Sequence, residues 1–277
     1  MRINKYIAEA GVASRRNADQ LIKDGKVSVN GKKITECGVD INVENDVVHV
    51  DGVKITPIRR YTYIMFNKPK GCITTAQDEF GRKTVFDYLE QFAGKGLFPV
   101  GRLDYDSEGL LLLTNDGALA QVLTHPSYEV PKTYLVKIEG TISDDDLKKI
   151  RAGVKFDGVR YAPAKVFIKE QKENFTRLEI TVTEGKNREV RKIFEAVGKN
   201  VVFLCRKNVR QDLNLSNQIG VIGDYLLQAE SPDSLKHSCQ GTVRHLYQLE
   251  NLGAAADLIK IGNTRVVFVN IYLSGSA

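Results

Sequence analysis

The sequence predicts an α+β protein in which a small N-terminal module precedes a mixed, mostly antiparallel sheet with flanking helices. Apolar and polar residues alternate over residues 134–138 and 178–182, as in strands that bury one face and expose the other. Short helical patterns that end at glycine, such as the one closing at Gly153, lie among these strands. This alternation disfavours a doubly wound parallel sheet, whose strands are apolar throughout.

Residues 1–56 have the pattern of a small module with two helices and short strands. Apolar residues at helical spacing predict a first helix that ends at Gly11, and Ser14 is suited to cap a second helix that ends at Gly25. The turn signals Asn30-Gly31 and Asp51-Gly52 follow the two predicted strands.

The second domain is expected over residues 62–230, after a candidate linker over residues 57–61. Ser143 has the spacing of a capping box for a helix over residues 143–153. Asn187 is suited to cap a further helix, which ends at Gly198.

Residues 231–277 are expected to form a divergent extension. It ends in an uncharged, β-prone run over residues 266–273, which would favour aggregation if left unpaired. The run fits a lineage-specific extension, an edge strand for a partner, or the product of a shifted reading frame.

Composition narrows the classes of protein that the chain can belong to. With 42% hydrophobic and 27% charged residues among 277, it has the composition of a soluble globular protein large enough for two domains. No apolar run is long enough to span a membrane, and the N-terminus lacks a signal-peptide pattern. The net charge of +6 is compatible with a polyanionic partner. The cysteines are scattered, which predicts no disulfide framework, no metal site and a reducing cytoplasm: Cys37, Cys72, Cys205 and Cys239.

The most informative stretch is residues 100–114, which read VGRLDYDSEGLLLLT. Asp104 lies in a glycine-bounded loop just before four consecutive leucines, which predict a strand buried on both faces. A carboxylate next to the end of a buried strand is held rigidly, and this suits a catalytic group.

This acidic loop admits three other interpretations. A calcium loop is rejected, because its twelfth position would be Asn115 and a strand intervenes. A glycosidase pair needs a second carboxylate, for which Asp106 and Glu108 are the nearby candidates, and spacing alone does not exclude it. An acidic surface turn is the plainest interpretation.

The longer pattern resembles the ribosomal RNA pseudouridine synthases that carry an S4 domain. GRLD followed by EGLLLLT resembles their active-site motif, and NKPKG at 67–71 resembles their first motif. KTY at 132–134 resembles the segment whose tyrosine lies against the target base, and EGKNREVRK at 184–192 resembles the third motif. These motifs occur in the family's order over about 205 residues, which a chance match would rarely produce.

Residues 1–56 resemble the S4 RNA-binding domain through helix, ASRR, helix and GKVxVNG. Basic residues on and after the second helix form a stripe that is suited to bind successive phosphates of an RNA backbone. More often, however, a stripe of this kind is simply a solvent-exposed helix face. The resemblance favours RNA binding by four residues: Arg15, Arg16, Lys23 and Lys26.

The resemblance implies that a uridine is isomerised to pseudouridine without a cofactor or a metal. Asp104 would attack C1′ of the ribose or act as a base at C2′, and the sequence does not choose between them. Tyr134 would stack on the uracil, which has to leave its helix to be reached, and Arg191 would keep Asp104 ionised and aimed. Further residues are expected to contact the substrate: Lys68, Arg102, Asn187, Arg188 and Leu204.

The substrate implied is ribosomal RNA or a ribosome assembly intermediate, bound by a monomer. The motifs look most like the B type of large-subunit enzymes, and the small-subunit enzyme is the nearest alternative. After Cys205 the match weakens sharply. A catalytically weak or inactive RNA-binding protein therefore remains a second hypothesis.

Overall fold

The computed structural model describes residues 1–57, 61–76, 78–92, 96–209, 244–249, 254–261 and 264–271. Residues 58–60, the centre of the expected linker, lie outside this description. So do residues 210–243, which include the end of the expected second domain and the start of the expected extension.

The N-terminal module consists of two helices and a four-stranded antiparallel sheet. The hydroxyl of Ser14 accepts a hydrogen bond from the amide of Asn17 (3.2 Å), which confirms the predicted cap. Ile3, Ile7 and Ile22 are fully buried in one apolar cluster. The elements are α1 (Ile3–Glu9), α2 (Arg15–Lys23), β1 (Val27–Val29), β2 (Lys32–Ile34), β3 (Val48–Val50) and β4 (Val53–Ile55).

The second sheet begins at β5 and continues to the end of the described chain. Its first strands are β5 (Thr62–Lys68), β6 (Phe98–Val100), β7 (Glu108–Thr114) and β8 (Lys132–Glu139). They are followed by β9 (Lys155–Phe156) and β10 (Val159–Arg160), which pair only with each other among the described residues, and by β11 (Lys165–Lys172), β12 (Phe175–Val182) and β13 (Val201–Val209). The last strands are β14 (Arg244–Leu249), β15 (Ala254–Ile261) and β16 (Thr264–Ile271).

The strand order confirms a mixed, mostly antiparallel sheet. It runs β11-β12-β8-β13-β7-β5-β16-β15-β14, and β6 pairs with β7. Within the described strands, β13–β7 and β16–β5 are the parallel pairs. Residues 266–271 of the β-prone run lie in β16, which pairs with β5 on one side and β15 on the other, so they do not form an edge strand. Residues 272–273 lie outside the described residues.

Strand β7 is buried on both faces, as its leucines predict. Leu111 and Leu113 belong to the main apolar cluster, whereas Leu112 belongs to a second cluster on the opposite face. The strand therefore anchors the end of the Asp104 loop inside the protein.

Three helices flank this sheet: α3 (Gly117–Thr124), α4 (Asp144–Ala152) and α5 (Glu189–Glu195). The Ser143 hydroxyl caps α4 through the amide of Asp146 (3.1 Å), as predicted. The prediction that Asn187 caps α5 is wrong. Arg188 occupies the cap position in a left-handed conformation (φ 50°), and its side chain makes no capping bond because the chain turns tightly just before the helix.

The contact between β7 and β13 requires glycine at position 109. Gly109 has φ +103°, and a Cβ added there would meet the carbonyl oxygen of Arg206 and lie 2.7 Å from its nitrogen. The two strands approach so closely that they bring the β13 side chains beside the Asp104 loop.

Candidate active site

A cleft of about 230 Å³ opens where the Asp104 loop, β8, β13 and the segment before α5 meet. Chain segments far apart in sequence contribute to it, so its assembly depends on the sheet. Six predicted site residues line this cleft: Arg102, Asp104, Tyr134, Asn187, Arg188 and Leu204.

The backbone of the Asp104 loop is held from two sides. The carbonyl oxygen of Asp104 accepts bonds from the Ser107 amide (3.1 Å) and from Lys68 Nζ (3.0 Å). At Leu103, Thr74 Oγ1 donates to the carbonyl oxygen (2.7 Å) and accepts from the amide (3.2 Å). These bonds hold the half-buried Asp104 side chain at the cleft wall through its backbone.

Lys68 lies beneath this loop, and its predicted contact with substrate requires correction. The side chain is fully buried, and its ammonium donates to the carbonyl oxygens of Pro69 (3.0 Å), Asp104 (3.0 Å) and Ser107 (2.9 Å). An ammonium has three donors, and all three are used. Burial lowers the pKa of Lys68. The residue therefore positions the loop from below and does not reach the cleft.

Arg191 has a different carboxylate partner from the one predicted. Its Nη2 lies 2.9 Å from Asp106 Oδ2, and its Nη1 donates to the Val201 carbonyl (2.8 Å). Arg188 Nη1 lies 3.6 Å from the other oxygen of Asp106. The predicted pairing with Asp104 is absent because the nearly buried Arg191 guanidinium is already engaged by Asp106 and by the first residue of β13. Arg191 thus ties α5 to the loop two residues beyond Asp104.

Asp106→Asn is expected to lower the free energy of unfolding by about 1–3 kcal/mol, because a nearly buried guanidinium loses its charged acceptor. Urea unfolding would measure the change. Asp104→Asn is the matched control, since the bonds that hold its loop go to backbone atoms. Equal stability of the two variants would contradict the structural role of the Asp106 pair.

Tyr134 stands in the cleft wall on β8 and is 9% exposed. In register, it lies between Ile180 of β12 and Arg206 of β13. Leu204, two residues earlier on β13, is also buried and also lines the cleft. Together they give the cleft an apolar wall with one aromatic ring, which suits a planar base.

Several charged residues of the cleft were not predicted. Arg206 is 4% exposed and donates from Nε to the Leu110 carbonyl (2.7 Å), and Lys132 Nζ donates to the Val130 carbonyl (3.0 Å). Lys132 begins the KTY segment, so that motif pointed to it, whereas no sequence signal marked Arg206. Glu184, Lys186 and Glu189 complete the set.

Glu189 is the buried acid of this cleft. Its Oε2 accepts a bond from the Gly185 amide (2.6 Å), which braces the turn that carries Asn187 and Arg188. Burial raises the pKa of Glu189 above its ordinary value, although that amide bond opposes the shift.

The raised pKa predicts how Glu189→Gln changes stability with pH. The folded protein binds the Glu189 proton more tightly than the unfolded chain does. Protonation of Glu189 therefore stabilises the fold: this stabilisation is fully present below the ordinary pKa of 4.5 and is lost as the pH rises through the folded pKa. The stability of the unmodified protein relative to Glu189→Gln should therefore fall as the pH rises above about 4.5. Urea unfolding across that range would measure it, with the exposed Glu195→Gln on the same helix as control. A difference that does not vary with pH would contradict it.

The predicted basic stripe of the N-terminal module is exposed. Arg15, Arg16 and Lys23 lie on α2 and form no ion pair with any described residue, while Lys26 is 4.0 Å from Asp51. These cations are available to phosphates.

No described helix is long and apolar enough to cross a membrane. No group of three or more His, Cys, Asp or Glu residues in the described part is arranged to hold a metal ion.

Comparison with known proteins gives matches for both parts of the chain. A family model described as RNA pseudouridylate synthase matches residues 62–196, and an S4 domain model matches residues 1–48. Ribosomal large subunit pseudouridine synthase B of Bacillus subtilis (strain 168) is 44% identical over 208 residues, which are 74% of this chain and 84% of that protein. An uncharacterized RNA pseudouridine synthase of Aquifex aeolicus (strain VF5) is 38% identical over 91% of this chain and 96% of its own. A crystal structure of a pseudouridylate synthase matches with a TM-score of 0.53 and 30% identity, covering 76% of this chain and 90% of that one.

Proposed function

The chain belongs to the RNA pseudouridylate synthase family, and from this premise we propose that it isomerises one uridine of large-subunit ribosomal RNA, with Asp104 as the catalytic carboxylate. The Bacillus subtilis relative, which is named as a large-subunit enzyme, supports the choice of substrate. The S4 domain and its exposed basic stripe support binding to structured RNA.

The observation that carries the proposal is the shared cleft of Asp104 and Tyr134. A carboxylate on a braced loop faces the same space as an aromatic ring in an apolar wall. A uridine flipped from its stack would place its base against Tyr134 and its ribose near Asp104. This pairing of groups fits a reaction at the bond between base and sugar.

The chemistry needs no redox change. The bond between N1 of uracil and C1′ breaks, and a bond between C5 and C1′ forms. C5 loses its proton and N1 ends protonated, so the product is an isomer of the substrate. Asp104 assists by attack at C1′ or by removal of the C2′ proton. Arg188, Lys132 and Arg206 surround the cleft with positive charge that favours the RNA backbone.

We further propose that one copy of the chain acts alone in the cytoplasm, on free RNA or on an assembly intermediate. Asp104 and Tyr134 of the same copy line one cleft, so the proposed chemistry needs no second copy. Ribosomal RNA as substrate supports the compartment.

Pseudouridine mapping tests the proposal directly. The purified protein is incubated separately with large-subunit and small-subunit ribosomal RNA transcripts and with precursor particles. One new pseudouridine in the large-subunit RNA is expected. A product in the small-subunit RNA alone would overturn the substrate assignment. RNA binding with no product in any sample would instead favour an RNA-binding protein that has lost catalysis.

A further inference from the structure

The loop over residues 78–84 presents an exposed aromatic ring in a fixed conformation. The Phe80 side chain is 80% exposed. Asp78 Oδ2 accepts bonds from the amides of Phe80 (3.2 Å) and Arg82 (2.7 Å), which closes the loop on itself. The Asp78 side chain is itself only 6% exposed. The ring therefore projects from a loop that its own hydrogen bonds hold in shape.

Arg82 supports one face of this ring. Its guanidinium carbon lies 5.2 Å from the Phe80 ring centroid, within the range of a cation–π contact. Arg82 Nη2 also lies 2.7 Å from Asp78 Oδ1, and that ion pair sets the plane of the guanidinium. With one face against Arg82, the other face of the ring is left for a planar partner.

The Phe80 loop is coupled to the Asp104 loop through the segment after β5. The Ile73 amide donates to the Lys83 carbonyl (2.9 Å), and the Val85 amide donates to the Ile73 carbonyl (3.0 Å). The next residue, Thr74, holds both the amide and the carbonyl of Leu103, the neighbour of Asp104. These hydrogen bonds join the loop that carries Phe80 to the loop that carries Asp104.

Tyr105, the residue after Asp104, is hydrogen-bonded to the segment that follows β5. The Gly71 amide donates to the Tyr105 carbonyl (2.9 Å), and the Tyr105 side chain is 54% exposed. The segment that leads to the Phe80 loop is therefore hydrogen-bonded to the Asp104 loop on both sides of Asp104, at Leu103 and at Tyr105.

We infer that Phe80, backed by Arg82, is a stacking site for a nucleobase that flanks the target uridine in the substrate RNA. This inference rests on the proposed function, because it takes RNA as the substrate. The target base itself belongs to Tyr134, since Tyr134 lines the cleft and Phe80 does not.

The surroundings of the ring favour a nucleobase over a protein partner. Every base offers a π-face to an aromatic ring, and a guanidinium behind the ring adds to the attraction. Anchors of protein interfaces, in contrast, lie in packed apolar surroundings. The residues beside Phe80 in the loop are polar or charged, apart from glycine: Asp78, Glu79, Gly81, Arg82 and Lys83.

Kinetics of Phe80→Ala test the subsite. The KM for the RNA is expected to rise about 10-fold, with kcat at saturating RNA unchanged within about twofold, because a flanking base contributes binding and not chemistry. Phe80→Tyr should restore the KM, since it restores the ring. Phe167→Ala is the matched control: Phe167 is also exposed (57%), but it lies on β11, an edge strand that β12, β8 and β13 separate from β7. An unchanged KM for Phe80→Ala would overturn the inference.

A fluorescence measurement tests the stacking without any need for turnover. The chain contains no tryptophan, so Phe80→Trp creates a single reporter at the subsite, and Phe167→Trp creates the control. Large-subunit ribosomal RNA transcript should quench the first and leave the second unchanged. Equal responses of the two reporters would contradict the inference.

The same samples separate this inference from the proposed function. If the unmodified protein makes pseudouridine but the Phe80→Trp signal does not respond to RNA, only the stacking site is wrong. If RNA quenches Phe80→Trp but the unmodified protein makes no pseudouridine, the stacking site stands as an RNA-binding site and the proposed activity fails.

Discussion

Asp104→Asn is expected to lower the rate of pseudouridine formation by about 10³-fold or more, while the affinity for RNA stays within about threefold of the unmodified protein. The amide has almost the shape of the carboxylate, but it is neither a nucleophile nor a base. The bonds that hold the loop go to backbone atoms of Leu103 and Asp104, so the substitution leaves them in place.

Single-turnover assays on large-subunit ribosomal RNA, together with filter binding, would measure both quantities. Asp106→Asn is the matched control, because it makes the same change in charge two residues away. It should retain far more activity than Asp104→Asn, although it loses the ion pair with Arg191. An Asp104→Asn rate within tenfold of the unmodified protein would show that another group is the catalyst.

Lys68→Met is expected to have the largest effect on stability, a loss of about 3–5 kcal/mol. Methionine fills a similar volume but donates no hydrogen bond. The carbonyl oxygens of Pro69 and Ser107 would then lose the ammonium donor, and the carbonyl oxygen of Asp104 would keep only the Ser107 amide. Removal of the buried positive charge makes the loss of stability smaller than the broken hydrogen bonds alone would. Since two of these carbonyls belong to the catalytic loop, kcat should also fall.

Urea unfolding of Lys68→Met would give the change in stability, and single-turnover assays would give the change in rate. Lys70→Met is the control within the same motif, because Lys70 is exposed and its removal should cost no more than about 1 kcal/mol. If the two variants unfold at the same urea concentration, Lys68 is not the support of the loop. If Lys68→Met unfolds at a lower urea concentration but keeps full kcat in the absence of urea, the hydrogen bonds of Lys68 stabilise the fold without positioning Asp104.

The fold class and the site loop were predictable because their signals are local. The leucines of β7 and the alternation in β8 and β12 specify strands by period and burial. Ser143 specifies the start of α4 in the same way. The order of the motifs also identified the family, and it named six of the residues that line the cleft.

The predictions that failed concern contacts between segments that are distant in sequence. Arg191 is 85 residues from Asp106 and Lys68 is 36 residues from Asp104. The residues next to Arg191 and Lys68 in the sequence do not indicate which acceptor atom each side chain binds. The missing cap at Asn187 is a related case, since the tight turn before α5 is braced by a bond from Gly185 to Glu189 within the assembled cleft.

The sequence by itself determined that this protein has an S4 module, a mixed sheet and Asp104 on a loop beside a buried strand. Periodicity, turn residues and motif order can be recognised from the sequence alone, because each depends on residues that are close together in the chain or on their order along it. Only the tertiary structure decided that Lys68 supports the loop, that Arg191 pairs with Asp106, and that the Phe80 loop is joined to the Asp104 loop through Ile73 and Thr74. Hydrogen bonds and ion pairs act over a few ångströms, and the folding of distant segments onto one sheet selects which groups come that close.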